Sequence, residues 1–427
     1  TCLHGYCKAG EEGEQLGSDD KTGVYPKVKQ SRNLCRILYM ENTIRFIPPF
    51  CPNPECRYHD KMASIGTSWW IRRGFYTSLT RGNIQRYRCR ECKRSFTERI
   101  FYTDYYAKRI DIDLRDLLFH YCNGFSQRAL ADHYRCTTRT IAHKLQIISR
   151  QAMAAITEAN AHIRTNEDIA IDGMQNFTGS QYQPNNYTIA VGQWSQYISM
   201  VTQVIFRRGG NMNEHQRKRR ALHDRQGQWR RGAFSQSIQE LVDHLAAFSS
   251  RRSEHKKTMV CNSDALKIYA VQLEKNSMIQ KMMDSGEFIH VITSSRRWRD
   301  MKNPLFPVNY IDSRLRNDLS DWQRETTSFP RETNRNFQRF LCYVAYHNFF
   351  KPHRSTMPRI THAEVAGLPK DILESIKKRF FVGRAFRTQL HLSKQWHQSW
   401  FCELITPLQV KNRVPYNGNR PAAYLSL

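Results

Sequence analysis

Acidic residues are scarce in this chain. It carries 38 Asp and Glu against 66 Lys and Arg, a formal net charge of +28 over 427 residues. An excess this large, spread along the whole chain, points to a polyanionic partner, because Lys and Arg neutralise phosphates and release condensed counterions. Long apolar runs are also missing. No stretch approaches the roughly 18 residues that a spanning helix needs, so no membrane association is expected. The first residues lack a charged-then-apolar leader pattern. Without one, a reducing compartment is expected, where cysteines serve as metal ligands more often than as disulfides. No internal repeat is visible. The chain opens on Thr1 rather than Met.

What is present is enough apolar material for sizeable cores, 40% hydrophobic and 12% aromatic. The length suggests two or three domains. Residues 1–45 mix Gly, Lys, Glu and Asp without a sustained period and read as a disordered or non-native extension, with Met40 a candidate start. Cys2, His4 and Cys7 there offer at most a metal half-site.

Residues 46–104 hold two cysteine pairs, Cys51 and Cys56 in CPNPEC, then Cys89 and Cys92 in RYRCREC. Four thiolates from two tight turns are the ligand set of a structural, tetrahedral Zn²⁺. The first pair has a wider spacing than usual, and His59 is an alternative ligand. Such a small module has too little core to fold alone, so zinc would supply its stability. Trp69, Trp70, Arg72, Arg73, Phe75, Tyr76 and Arg86 to Arg88 surround it, a mix suited to nucleic acid.

Residues 105–160 read as helices. Leu114, Leu117, Leu118 and Tyr121 fall at helical spacing, Gly124 breaks the helix, and Ser126 caps the next. After a polar turn at Arg135 to Thr137, Thr138 can cap a further helix running to about Arg150. Ile141, Leu145 and Ile148 form its inner stripe. That leaves Thr138, Arg139, Thr140, His143 and Lys144 facing out near its start, as in the recognition helix of a helix-turn-helix.

From about 165 to 355, short apolar strands alternate with helices. Strands are expected at 168–172, 187–192, 197–204, 257–261 and 288–293, and helices at 235–249 and 265–280, the order of a mixed-sheet α/β domain. Residues 207–231 form a basic, non-periodic insertion, read as a surface loop lying against DNA backbone. Asp172 and Asp264 each follow an apolar strand, where a side chain projects into the crevice of an α/β sheet. Two carboxylates placed so suggest a shared hard cation, Mg²⁺ or Mn²⁺. A third acid is sought on the helix near Asp312, which shares a face with Arg316. Residues 356–427 form a C-terminal tail, with Trp396 and Trp400 packing on the body or clamping DNA.

Together CPNPEC, RYRCRECKRSF, GFSQRALADHYRCTTRTIAHK, AIDG at 170–173, NSDA at 262–265, IDSRLRNDLSDWQRETTSF, YHNFFKPHR at 346–354 and THAEVAGL at 361–368 resemble bacterial insertion-sequence transposases of the Asp-Asp-Glu/Asp superfamily. The resemblance covers roughly residues 48–370. It implies a zinc ribbon, a helix-turn-helix and a ribonuclease H-like catalytic domain. It also implies Mg²⁺-dependent DNA cleavage and strand transfer, with two Mg²⁺ (or Mn²⁺) held by Asp172, Asp264 and Asp312, and with Arg314 or Arg316 on a phosphate oxygen. The expected partners are double-stranded DNA, namely terminal inverted repeats and target DNA, and a second copy of the chain. The expected setting is the bacterial cytoplasm, on the nucleoid. One departure stands out: relatives carry Glu about seven residues before the Arg matched by Arg316, and here that place is Asn309. Asp312, one helical turn on, is the expected third ligand. The alternative is a catalytically inactive, sequence-specific DNA-binding protein derived from a transposase.

Overall fold

The computed structural model describes residues 46–407, except 79–81, 106–110, 228, 295 and 324–329. The half-site read at Cys2, His4 and Cys7 lies outside them. Residues from Pro48 onward form one compact unit.

An antiparallel three-stranded sheet comes first: β1 (Trp70–Ser78), β2 (Gly82–Cys89) and β3 (Ser95–Thr97) in the order β1-β2-β3. Its small core is aromatic. Trp69 and Tyr87 each stack on Phe96, and Phe50 and Phe101 close the cluster edge-on.

Helices α1 (Leu114–Tyr121), α2 (Gln127–His133) and α3 (Thr138–His162) follow. Each starts on a side chain that accepts from free backbone N–H groups: Asp113 for α1, Ser126 for α2 and Thr137 for α3. The cap of α3 is therefore Thr137 rather than Thr138. Gly124 turns the chain between α1 and α2 at φ +95°, a left-handed conformation that glycine adopts without a Cβ clash. Nor does α3 stop near Arg150. Ala152, Ala155, Ile156 and Ala159 continue its buried stripe to His162, and small residues let it pack closely on later helices.

The main sheet is mixed and five-stranded, in the order β6-β5-β4-β7-β8. Its strands are β4 (Ile169–Thr178), β5 (Ser180–Gly192), β6 (Ile198–Ile205), β7 (Met259–Ser263) and β8 (Phe288–Ile292). β4 and β6 run antiparallel to β5, while β4, β7 and β8 run parallel. The expected mixed α/β sheet with flanking helices is thus present. The first hairpin is longer than its apolar runs predict, because polar stretches extend both arms. Asn176, Thr178, Asn185 and Asn186 are buried; the first three bond one another or Asn336, for example Asn185 to Thr178 at 3.0 Å and Asn176 to Asn336 at 3.2 Å, and Asn186 donates to the Thr188 hydroxyl at 3.1 Å.

The insertion at 207–231 is not all loop. Glu214–Gln226 forms a helix, α4, opened by a reciprocal cap between Asn213 and Gln216. It has no apolar stripe, so periodicity cannot reveal it. Cap and ion pairs (Glu214 with Lys218 at 2.8 Å, Arg220 with Asp224 at 3.2 Å) hold it instead. Helix α5 (Ala233–Ser249) lays Ile238, Leu241 and Leu245 on the sheet. The helix expected at 265–280 is two, α6 (Lys267–Lys275) and α7 (Ser277–Asp284), because Asn276 ends the first and caps the second. Then come α8 (Phe306–Asp318) and α9 (Thr333–Ala345). The C-terminal segment packs on the body through α10 (Lys370–Phe380) and α11 (Lys394–Trp400). Trp396 and Trp400 are buried, and the Trp396 indole donates to the Val201 carbonyl at 2.9 Å.

Candidate functional site

The four cysteines meet. Sγ of Cys51 lies 3.6 Å from that of Cys92, Sγ of Cys56 lies 3.7 Å from that of Cys89, and all four fall within 4.8 Å of one another. A tetrahedron of thiolates at about 2.3 Å from zinc has edges of about 3.8 Å, so the spacing fits that ion. The turns explain it. The Cys56 amide donates to the Asn53 carbonyl at 3.0 Å, and the Cys89 amide donates to the Arg94 carbonyl at 2.9 Å across a turn with Lys93 at φ 58°. Burial pushes the Cys89 thiol up to about 11 and the Cys51 thiol higher still. A bound cation would supply the ionisation that burial opposes. His59 is not a fifth candidate. Its Nδ1 bonds the Cys51 carbonyl at 2.7 Å and its Nε2 bonds the Thr388 hydroxyl at 2.5 Å, so it braces the cluster from outside.

At the start of α3, Thr138, Arg139 and His143 are exposed and Thr140 is half-buried. Lys144 departs from expectation. It is 6% exposed, because the next turn of α3 already faces the body.

The carboxylates are gathered by strand register. β4 and β7 run parallel with Ile171 opposite Ser263, so the next position places Asp172 beside Asp264. β7 ends there, while β4 continues along β5; Asp172 therefore sits mid-strand, at the point where its parallel neighbour stops. Helix α8 brings Asp312 within electrostatic reach of Asp172. Asp172 feels the charge of both other carboxylates. Burial first, then Asp264 and Asp312, push the Asp172 carboxyl up to about 6, opposed by its own Gly173 amide and by Arg299. Their oxygens do not close to within 4.8 Å of one another as the cysteines do. Asp264 accepts from the Leu266 amide at 3.0 Å. Asp312 is engaged by Arg316, at 2.9 Å and 3.2 Å. Asn309 lies on the same face of α8, one turn before Asp312.

Neither arginine named from sequence is free. Arg316 holds Asp312 and also reaches the Gln175 carbonyl at 3.2 Å. Arg314 pairs with buried Asp318 at 2.6 Å, and Asp318 also takes Lys351 at 2.8 Å and the Tyr343 hydroxyl at 3.1 Å. Arg299, exposed after β8, is the cation that acts on Asp172, and sequence reasoning passed over it. The basic run Arg296, Arg297, Arg299 was the available signal.

No family model matches the chain, and no curated protein is similar to it. Among solved structures, a likeness is found to a simian T-cell lymphotropic virus intasome in complex with the PP2A regulatory subunit B56 gamma. It has 14% identity and a TM-score of 0.27, over 61% of this chain and 76% of that one. Among the described residues no helix is long and apolar enough to cross a membrane.

Proposed function

We propose that this chain is a DNA-cleaving and DNA-joining enzyme of the transposase kind. Its main sheet would form a ribonuclease H-like catalytic domain, and its zinc ribbon and helix-turn-helix would recognise terminal inverted repeats. What supports the reading is that strand register sets Asp172 beside Asp264 and that the like charges of Asp264 and Asp312 both act on Asp172. Like charges kept together at a cost are what a divalent-cation site needs. Three hard carboxylate donors fit Mg²⁺ or Mn²⁺ rather than a softer ion.

Two such cations, when bound, activate the attacking oxygen and stabilise the leaving one. The rest falls to the protein. Asp172, Asp264 and Asp312 would hold the cations. Arg316 fixes the orientation of Asp312. Arg299 is placed to neutralise a non-bridging phosphate oxygen. Water attacks the phosphodiester and the 3′-oxygen leaves with a proton. The freed 3′-hydroxyl then attacks a second phosphodiester, forming a new P–O bond as that strand's own 3′-oxygen leaves and takes the proton. Joining two ends calls for at least a dimer on DNA.

Incubation of the full chain with supercoiled plasmid and Mg²⁺ or Mn²⁺ tests this. Nicking is expected, and Asp172→Asn should abolish it while leaving DNA binding intact. Sequence-specific binding with no strand cleavage under either ion would overturn the enzymatic reading. The alternative, a non-catalytic DNA-binding protein, would then stand. Asn309 in the usual Glu position and the capture of Asp312 by Arg316 favour it.

A further inference from the structure

A second cluster of ligating side chains lies outside both sites, on the first two helices of the helical region. Asp116 and His120 are one turn apart on α1, and His133 is the last residue of α2. One donor atom from each falls within 4.8 Å of the other two. The His120 Nε2 is 3.5 Å from Asp116 Oδ1.

The surroundings orient these groups. The Tyr134 hydroxyl donates to the other Asp116 oxygen, Oδ2, at 2.8 Å, which leaves Oδ1 facing the imidazoles. The His120 ring stacks on Phe125 at 5.0 Å and meets the His133 ring edge-on at 5.4 Å. A carboxylate fixed by an outer hydroxyl beside two positioned imidazoles is the usual anatomy of a metal site. Both partners reach solvent, with side-chain exposures of 24% for His120 and 47% for Asp116.

We infer that Asp116, His120 and His133 bind a borderline divalent cation of the Zn²⁺ class. Imidazole with one carboxylate suits that class, while Mg²⁺ and Ca²⁺ prefer all-oxygen sites. Three protein ligands leave room for water. Because His133 comes from α2 and the other two from α1, the ion clamps the two helices that precede the exposed start of α3. The inference stands apart from the catalytic reading.

Zinc titration calorimetry on the zinc-loaded full chain, with the His120→Ala/His133→Ala double variant alongside, tests it. Residues such as Cys2, His4 and Cys7 can also take metal, so the difference between the two proteins is what matters. The chain should bind one more Zn²⁺ than the variant, and that ion should raise the melting temperature of the chain alone. Tyr134→Phe should weaken the extra site by roughly 10-fold to 100-fold without removing it. Co²⁺ in place of Zn²⁺ should add a weak ligand-field band without thiolate charge transfer, lost in the variant. Equal stoichiometry and affinity in chain and double variant would overturn the inference. Should the double variant fail to fold, the single exposed change His133→Gln carries the same comparison.

Discussion

Asp312 is the least available of the three carboxylates, because Arg316 holds both of its oxygens. Releasing it is a direct probe of the catalytic reading. Arg316→Ala should alter cleavage by changing how Asp312 is presented. Asp172→Asn should lower it about 100-fold or more, with binding to DNA retained, as single-turnover nicking and a filter-binding assay would show. An Asp172→Asn protein that nicks at the parental rate would remove this residue from the site. Loss of zinc is a second residue-scale test. Cys92→Ser breaks a cluster whose sulfurs are already at zinc-like spacing. One equivalent of zinc should be lost, and residues 48–101 should become protease-sensitive, because the module depends on its ion for folding.

Helix α3 and the turn after β5 show how whole elements constrain function. Arg139 projects from the first turn of α3, while Lys144 is covered by the body. Arg139→Ala should weaken DNA binding and reduce the slope of log affinity against log salt by about 1. Lys144→Ala should leave that slope unchanged. The turn at Trp194 to Gln196 is gripped from two sides. Glu167 accepts from the Trp194 and Ser195 amides at 2.6 Å and 2.8 Å. From the other side His353, His362 and His347 bond the Trp194, Ser195 and Gln196 carbonyls at 3.0, 2.7 and 2.8 Å. Burial lowers the His362 imidazole from 6.5 to about 3, and lowers His347 well below its usual value. The unfolded chain therefore binds protons that the folded one refuses. Stability is full above about pH 6.5 and falls as the pH drops from there towards 3. Urea midpoints across that range should fall with acidity, and His362→Gln should flatten the decline. An unchanged pH profile in that variant would rule His362 out as the acid-sensitive group.

At the scale of the whole molecule, residues 357–407 pack on the body. The Arg150 guanidinium donates to the Trp400 carbonyl at 2.8 Å and lies 5.6 Å from its ring centroid. Gln151 bonds the Phe380 carbonyl at 3.0 Å and accepts from the Ala385 amide at 2.7 Å. The Gln389 side chain donates to the His59 carbonyl at 2.8 Å, which ties the same segment to the cysteine module. Trp400→Ala should cost about 3–5 kcal/mol of unfolding free energy, read from denaturant titration. A loss below about 1 kcal/mol would mean that this packing is not native.

Much of this organisation was legible along the chain. Cysteine spacing, capping residues and apolar runs are local signals, so the cysteine module, the helices between residues 113 and 162 and the five strand cores could be located from them. What had no local signal was decided by partners distant in sequence. The polar arms of the first hairpin are buried because Asn336 satisfies them from α9. Lys144 is covered by the body, and Arg314 is drawn into an ion pair with Asp318. The sequence by itself determined which side chains could bind metal and phosphate. Only the tertiary structure decided which of them come near one another, because parallel strand register and helix packing, not spacing along the chain, set Asp172 beside Asp264 and bring Asp312 within electrostatic reach of Asp172.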